Sequence, residues 1–293
     1  MRPQGYPARR MAAAHRASTV NSGPRLLFST APFFRQPLRQ AFRAIADAGF
    51  DAVEVMVTQD PATQEPDRLT QLAAEFGLQV VALHAPFLLV TRRVWGTDPV
   101  TKIDRAVHLA REVGASLVVV HPPYRWQAAY RRWIAERLRH VAGETGVDVA
   151  VENMFPLRLP GAASMRFHAE RTSDDGQGTP HLVLDTSHAA VSGVDIRQAL
   201  ARDRDRIRHV HLSNNAGRGW DSHLPVGRDG VLPVEGFLGD LTDGYRGTVS
   251  LELDLRPWLE DPRALRDLLL EQREYCVRHV EPRGRRRGAQ HGG

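Results

Sequence analysis

Six apolar runs each carry, at or near their end, an ionisable side chain able to bind a metal. They are VVALHAP (His84), SLVVVHPP (His121), VDVAVENM (Glu152), HLVLDTSH (Asp185), IRHVHLS (His211) and TVSLELD (Glu252). An unpaired charge at the end of a buried strand costs stability, so this pattern points to a site. Nitrogen and oxygen donors without sulfur suit zinc, manganese, cobalt or iron. Glu152, Asp185, His211 and Glu252 come from four consecutive runs and would be neighbours. Carboxylates packed so closely repel unless a divalent cation compensates them or one is protonated. A second group follows in HLSNNAGRGWDSHLPVGRDG, where Asp221 and His223 lie two apart, and His188 sits one helical turn beyond Asp185.

Positioning these residues requires strands alternating with helices. Strand-like runs fall at 26–29, 51–57, 79–84, 116–121, 147–152, 181–185, 207–212 and 247–253. Helical spacing of apolar residues predicts helices at 37–48, 65–76, 98–113, 126–143, 194–203, 233–241 and 260–278. Gly77, Gly114 and Gly146 stand where helix C-caps are expected. Eight alternating units favour an α/β fold, a single (β/α)8 TIM barrel, with the ligand-type residues at the strand C-terminal ends. The unit between Glu152 and Asp185 is irregular. It offers one short helix, near Ala162–Arg171, and then a polar, Gly-rich loop expected over the site. The expected organisation is a disordered basic tail over 1–24, a barrel over 25–280 and a second basic tail over 281–293.

With 42% hydrophobic and 25% charged residues, the 293-residue chain has enough apolar surface for a full core. Its one cysteine, Cys276, excludes an internal disulfide and thiolate clusters, and suits a reducing, cytoplasmic location. No run approaches the ~18 apolar residues of a membrane span. The net charge of +5 divides unevenly: residues 1–25 contribute +5 and residues 281–293 contribute +3, leaving a body of −3. An acidic body counts against a groove that neutralises a nucleic-acid backbone. The Arg-, Ala- and Ser-containing start lacks acids in the manner of a transit peptide, has no apolar core of a secretory signal, and leaves Met11 as an alternative first residue.

From about residue 26 to 275 the chain resembles the xylose-isomerase-like TIM-barrel superfamily, which holds sugar phosphate isomerases and epimerases and is related to endonuclease IV. The carriers are GFDAVEV (49–55), LHAPF (83–87), VVVHPP (118–123), VENM (151–154), LDTSHAAVSG (184–193), HVHLSNN (209–215), DSHLPVG (221–227) and LELD (251–254). The resemblance implies one of two chemistries. In the tagatose-epimerase-like branch one divalent ion is held by the residues matching Glu152, Asp185, His211 and Glu252. The two glutamates there double as acid/base catalysts, acting through a cis-enediolate. In the endonuclease IV branch nine ligands hold three zinc ions. They match His84, His121, Glu152, Asp185, His188, His211, Asp221, His223 and Glu252.

Two departures bear on the choice, the first against the second branch and the second, a glycine spacing unlike either branch, against a third metal. APFLLVTRRVW follows the first histidine where endonuclease IV members continue differently, and Gly227-Arg228-Asp229-Gly230 replaces the usual Gly-x-Gly. The expectation is a metal-dependent isomerase or epimerase for a small sugar or sugar phosphate. The alternatives are a trinuclear zinc phosphodiesterase of the AP endonuclease type and a catalytically silent barrel. His188 would hold a substrate hydroxyl and Arg218 an anionic end group. Glu54, in the middle of a strand, would form a buried ion pair or touch substrate. Trp95, Trp126 and Phe155 could wall an apolar side of the pocket, and self-association is left open.

Overall fold

Short Val- and Leu-rich runs buried on both faces are what a parallel sheet covered by helices requires. In the computed structural model, residues 23–87, 91, 93–156 and 179–280 are described; residues 1–22 of the tail expected over 1–24, the tail expected over 281–293 and the helix expected at Ala162–Arg171 lie outside them. The strands are β1 Arg25–Ser29, β2 Ala52–Met56, β3 Gln79–His84, β4 Leu117–Val120, β5 Asp148–Glu152, β6 Leu182–Asp185, β7 Ile207–Leu212 and β8 Thr248–Leu251. Each pairs in parallel with the next, and β8 pairs with β1 to close an eight-stranded barrel. This is the (β/α)8 architecture the sequence predicts.

The connecting helices are α1 Leu38–Asp47, α2 Pro66–Phe76, α3 Pro99–Val113, α4 Ala128–Glu136, α5 Leu138–Thr145, α6 Thr186–Val191, α7 Ile196–Asp203, α8 Val234–Leu241 and α9 Pro262–Val280. Asp98 caps α3 by accepting from the Thr101 amide at 2.7 Å. Gly77, Gly114 and Gly146 end α2, α3 and α5 in the left-handed region, with φ of 65°, 76° and 74°. The single helix expected over 126–143 is instead two, α4 and α5, meeting at Arg137. Among the described residues, no helix is long and apolar enough to cross a membrane.

Two layers of core hold the barrel. A large outer cluster, including Phe28, Phe42, Leu200 and Phe237, seals the helices against the strands. Each such side chain, fully buried, contributes roughly 1.5–3 kcal/mol. Inside, Leu27, Ala52, Val81, Ala82, Leu117, Val119, Ala150 and Val183 fill the barrel. The register between β6 and β7 shifts, with Leu182 opposite Ile207 but Val183 opposite His209. The extra residue, Arg208, is a β-bulge, and it sets Asp185 directly opposite His211.

Candidate metal centre

The strand ends converge as the alternation requires. His84, Glu152 and Asp185 end β3, β5 and β6, His211 lies in β7, and His121 and Glu252 follow β4 and β8 by one residue. At the centre, His211 directs Nδ1 at Glu152 Oε1 (3.1 Å), Glu252 Oε2 (3.1 Å) and Asp185 Oδ2 (3.8 Å). Glu152 Oε2 faces His121 Nε2 at 3.2 Å and His84 Nε2 at 3.6 Å. His188 Nδ1 stands 3.3 Å from Glu152 Oε1.

The far side of most of these rings is fixed. His84 Nδ1 lies 3.1 Å from the Ala85 carbonyl, His188 Nδ1 2.8 Å from that of Asn153, and His223 Nδ1 3.0 Å from that of Glu252. A carbonyl only accepts, so each Nδ1 carries the proton and each Nε2 lone pair is turned toward the acidic groups. His211 is reversed. Its Nε2 faces Glu54 Oε1 at 3.0 Å, so that nitrogen donates and Nδ1 is presented to three carboxylates.

A ring of acceptors facing acceptors calls for a positive charge at its centre. Glu152 Oε2, Asp185 Oδ2 and Glu252 Oε2 are buried and, among the described residues, accept no well-formed hydrogen bond. Buried carboxylate oxygens are rarely left so, because each forfeits its solvation. The donor sets Glu152–Asp185–His211, His84–His121–Glu152 and Asp185–His188–His223 each offer ligand atoms within 4.8 Å of one another. These residues therefore fit a divalent cation, with the first set, joined by Glu252, at the centre.

Without an ion, protons take its place. Burial lowers the pKa of His211, but the charges of Glu54, Glu252 and Glu152 outweigh it and hold the ring well above its ordinary range. Burial likewise raises Glu152, yet the charge of His211 and the nearby imidazoles of His121 and His84 hold it well below the usual carboxylate range. Burial leaves Glu252 and Asp185 raised, because their neighbouring histidines compensate less.

The segment after β7 supplies the outer flank. Asp221 accepts from Ser187 Oγ at 2.6 Å through Oδ1, and faces His223 at 2.8 Å and His188 at 3.3 Å through Oδ2. Asn215 steadies this group by donating to Ser187 Oγ at 2.9 Å. His223 adopts φ of +40°, a strained value for a side chain with a Cβ, held by this network. Gly227 and Gly230 explain the departure in glycine spacing. A Cβ on Gly227, at φ +71°, would stand 2.5 Å from the Tyr275 ring, and one on Gly230 would overlap the Asn214 carboxamide.

Burial opposes protonation of His223, but Asp221 and Asp185 raise its pKa to about 9. A group raised on folding stabilises fully below its unfolded value, near 6.5, and loses that contribution as pH rises through 9. The metal-free protein is thus expected to lose thermal stability as pH rises from 6.5 through about 9. Melting curves across that range check it; a flat or rising midpoint would contradict the assigned contacts.

The other residues singled out in the sequence take varied positions. Arg218 is exposed, its guanidinium 6.0 Å from the Trp220 ring centre. Glu54 is fully buried, with its two oxygens turned to His209 and His211. Phe155 packs 4.7 Å from His188, whereas Trp126 stacks on Tyr124 and Trp95 lies under Arg105. Phe87 also stacks on His121, with ring centres 4.3 Å apart. Sequence reasoning missed His209, whose signal was the His-Val-His spacing: residues two apart leave a strand on the same side. It also missed Asn153, which donates to the Asp185 carbonyl at 3.0 Å and accepts from its amide at 2.7 Å.

Comparison with known proteins agrees with this architecture. Residues 42–271 match the sequence family described as Xylose isomerase-like TIM barrel. An uncharacterized protein of Mycobacterium tuberculosis (strain ATCC 25618 / H37Rv) is 34% identical over 245 residues, 77% of this chain and 87% of its own length. A D-tagatose 3-epimerase-like protein of known structure has a TM-score of 0.64 at 21% identity, over 87% of this chain and 99% of its own. An AP endonuclease, family 2, from Brucella melitensis has a TM-score of 0.58 at 18% identity, over 81% of this chain and 99% of its own. At such identities the two structures share the fold alone. The sequence match over most of the barrel is the stronger finding, and by it the chain belongs to the xylose isomerase-like TIM barrel family.

Proposed function

We propose that this protein is a divalent-metal-dependent isomerase or epimerase of a small sugar or sugar phosphate. The observation that carries the reading is the convergence of Glu152 and Glu252 on one point, His211 Nδ1, each at 3.1 Å and each with an undonated buried oxygen. Glu152, Asp185, His211 and Glu252 would hold the ion, whose positive charge would polarise neighbouring carbonyl and hydroxyl oxygens and acidify the C–H between them.

Everything else falls to the chain. Glu152 and Glu252 arise from β5 and the end of β8, so they reach a bound sugar from different directions. One removes the carbon-bound proton and the other returns one, to the opposite face in an epimerisation. Glu252 is the more open, with 19% side-chain exposure against 3% for Glu152. His188 and His223, held in place through Asp221, would contact substrate hydroxyls. Phe87 and Phe155 would exclude water from one side. The reading predicts solvent deuterium exchange at the substrate C–H when metal-loaded protein meets a panel of ketoses and their phosphates. Absence of exchange with every member would count against it.

A second reading, a trinuclear zinc phosphodiesterase, draws on a specific observation. The flanking sets His84–His121–Glu152 and Asp185–His188–His223 could each take an ion beside the central one. Three ions could stabilise both attacking and leaving oxygens of a phosphodiester. The net −3 of the body disfavours a duplex substrate. Incubation with abasic-site DNA separates the two readings, since efficient incision would replace the isomerase assignment.

A further inference from the structure

We infer that Glu54 is a positioning residue for the metal centre. It fixes which nitrogen of His211 meets the ion and strengthens that nitrogen as a donor. The inference rests on the proposed metal site and assigns a role to a side chain lying beneath it.

Three of the imidazoles facing the site have Nδ1 on a neutral backbone carbonyl: His84 on Ala85, His188 on Asn153 and His223 on Glu252, the His188 N–H also standing 3.3 Å from Glu152. Each therefore presents Nε2. His211 alone among these is backed by a carboxylate, and it presents Nδ1. The difference falls on the ring closest to Glu152, Asp185 and Glu252 together. An anion behind an imidazole N–H draws the proton away from the ring and makes the opposite nitrogen a better donor.

Glu54 is itself braced. His209 Nε2 donates to its second oxygen at 3.2 Å, and His209 Nδ1 lies 2.5 Å from the Thr248 hydroxyl. Glu54, His209 and His211 are all fully buried. Burial raises the pKa of Glu54, but the charges and bonds of His211 and His209 outweigh it and keep the carboxylate well below its ordinary value. His209 and His211, two apart on β7, both reach Glu54 across the barrel. Thr248, His209, Glu54 and His211 thus form one hydrogen-bonded line rising through the barrel to the centre. A carboxylate used for substrate binding would open to the mouth, whereas both oxygens of Glu54 are spent on imidazoles.

The test is zinc and cobalt binding to metal-free full-length protein by titration calorimetry, for wild type and Glu54→Gln. Glutamine keeps the volume and an acceptor but removes the charge. Affinity is expected to fall about 10–100-fold, with the far-ultraviolet spectrum unchanged. Equal affinity in the variant would overturn the inference while leaving the metal site standing. No binding to wild type would overturn the metal site, and the inference with it.

Should Glu54→Gln not fold, long-range nitrogen–proton NMR of zinc-loaded wild type still decides. His211 should carry zinc on Nδ1 and a strongly hydrogen-bonded proton on Nε2. Zinc on Nε2, or loss of that proton, would contradict the assignment. Where Glu54→Gln folds, the same Nε2 proton should move upfield, a change that a merely space-filling glutamate would not cause.

Discussion

Glu152→Gln is expected to reduce substrate C–H exchange by about 10²–10⁴-fold, the usual contribution of a positioned acid or base, and Glu252→Gln to do the same. The amide matches the carboxylate in size but cannot accept a proton from carbon. Its neighbours make Glu152 the more demanding position. It faces His84, His121, His188 and His211, all within 3.6 Å. Removing its charge withdraws an anion from four imidazoles at once, so its variant should also bind metal more weakly. Glu252 faces His211 and the more open side, and its variant should keep more metal while still losing exchange. Exchange retained in both metal-loaded variants would refute a mechanism with two glutamates.

His211→Ala carries the largest expected effect on the molecule itself. It deletes the nitrogen on which Glu152, Glu252 and Asp185 converge. It also leaves Glu54 fully buried with His209 as its remaining imidazole. Breaking a buried ion pair from one side costs about 3–5 kcal/mol, because the abandoned charge cannot recover its hydration. The variant should unfold at markedly lower urea concentration and retain little metal after desalting. Wild-type metal content with an unchanged urea midpoint would show that His211 neither holds the ion nor neutralises Glu54.

The barrel was legible because each unit announces itself locally: an apolar run, an ionisable residue, then helical spacing ended by Gly77, Gly114 or Gly146. The outward-facing half of the candidate site was legible for the same reason, since an acid or imidazole at the end of an apolar run has no packing role. What lay beneath was not. Glu54 and His209 are 155 positions apart, on strands that are not neighbours, and meet only when the barrel closes. The groups that orient His84, His188 and His223 are backbone carbonyls, which leave no mark on residue type.

Helix details failed for local reasons. Residues 126–143 keep an apolar rhythm across Arg137, with neither glycine nor proline at the break between α4 and α5. The six-residue α6 is too short for a periodic signal. It is set by Asp185, whose second oxygen accepts from the His188 amide at 2.7 Å. Asp185 therefore caps a helix with one carboxylate oxygen and points the undonated one into the site. That double use ties the position of His188 to the central acid.

The number of ions bound at the barrel mouth bears most directly on the account, and anomalous diffraction from crystals grown with zinc or manganese counts and identifies them. One fully occupied ion is expected, bound by Glu152, Asp185, Glu252 and His211 Nδ1, with Glu54 on the opposite nitrogen. An empty centre under saturating metal, or three zinc ions spread over His84, His121, His188, Asp221 and His223 as well, would contradict it.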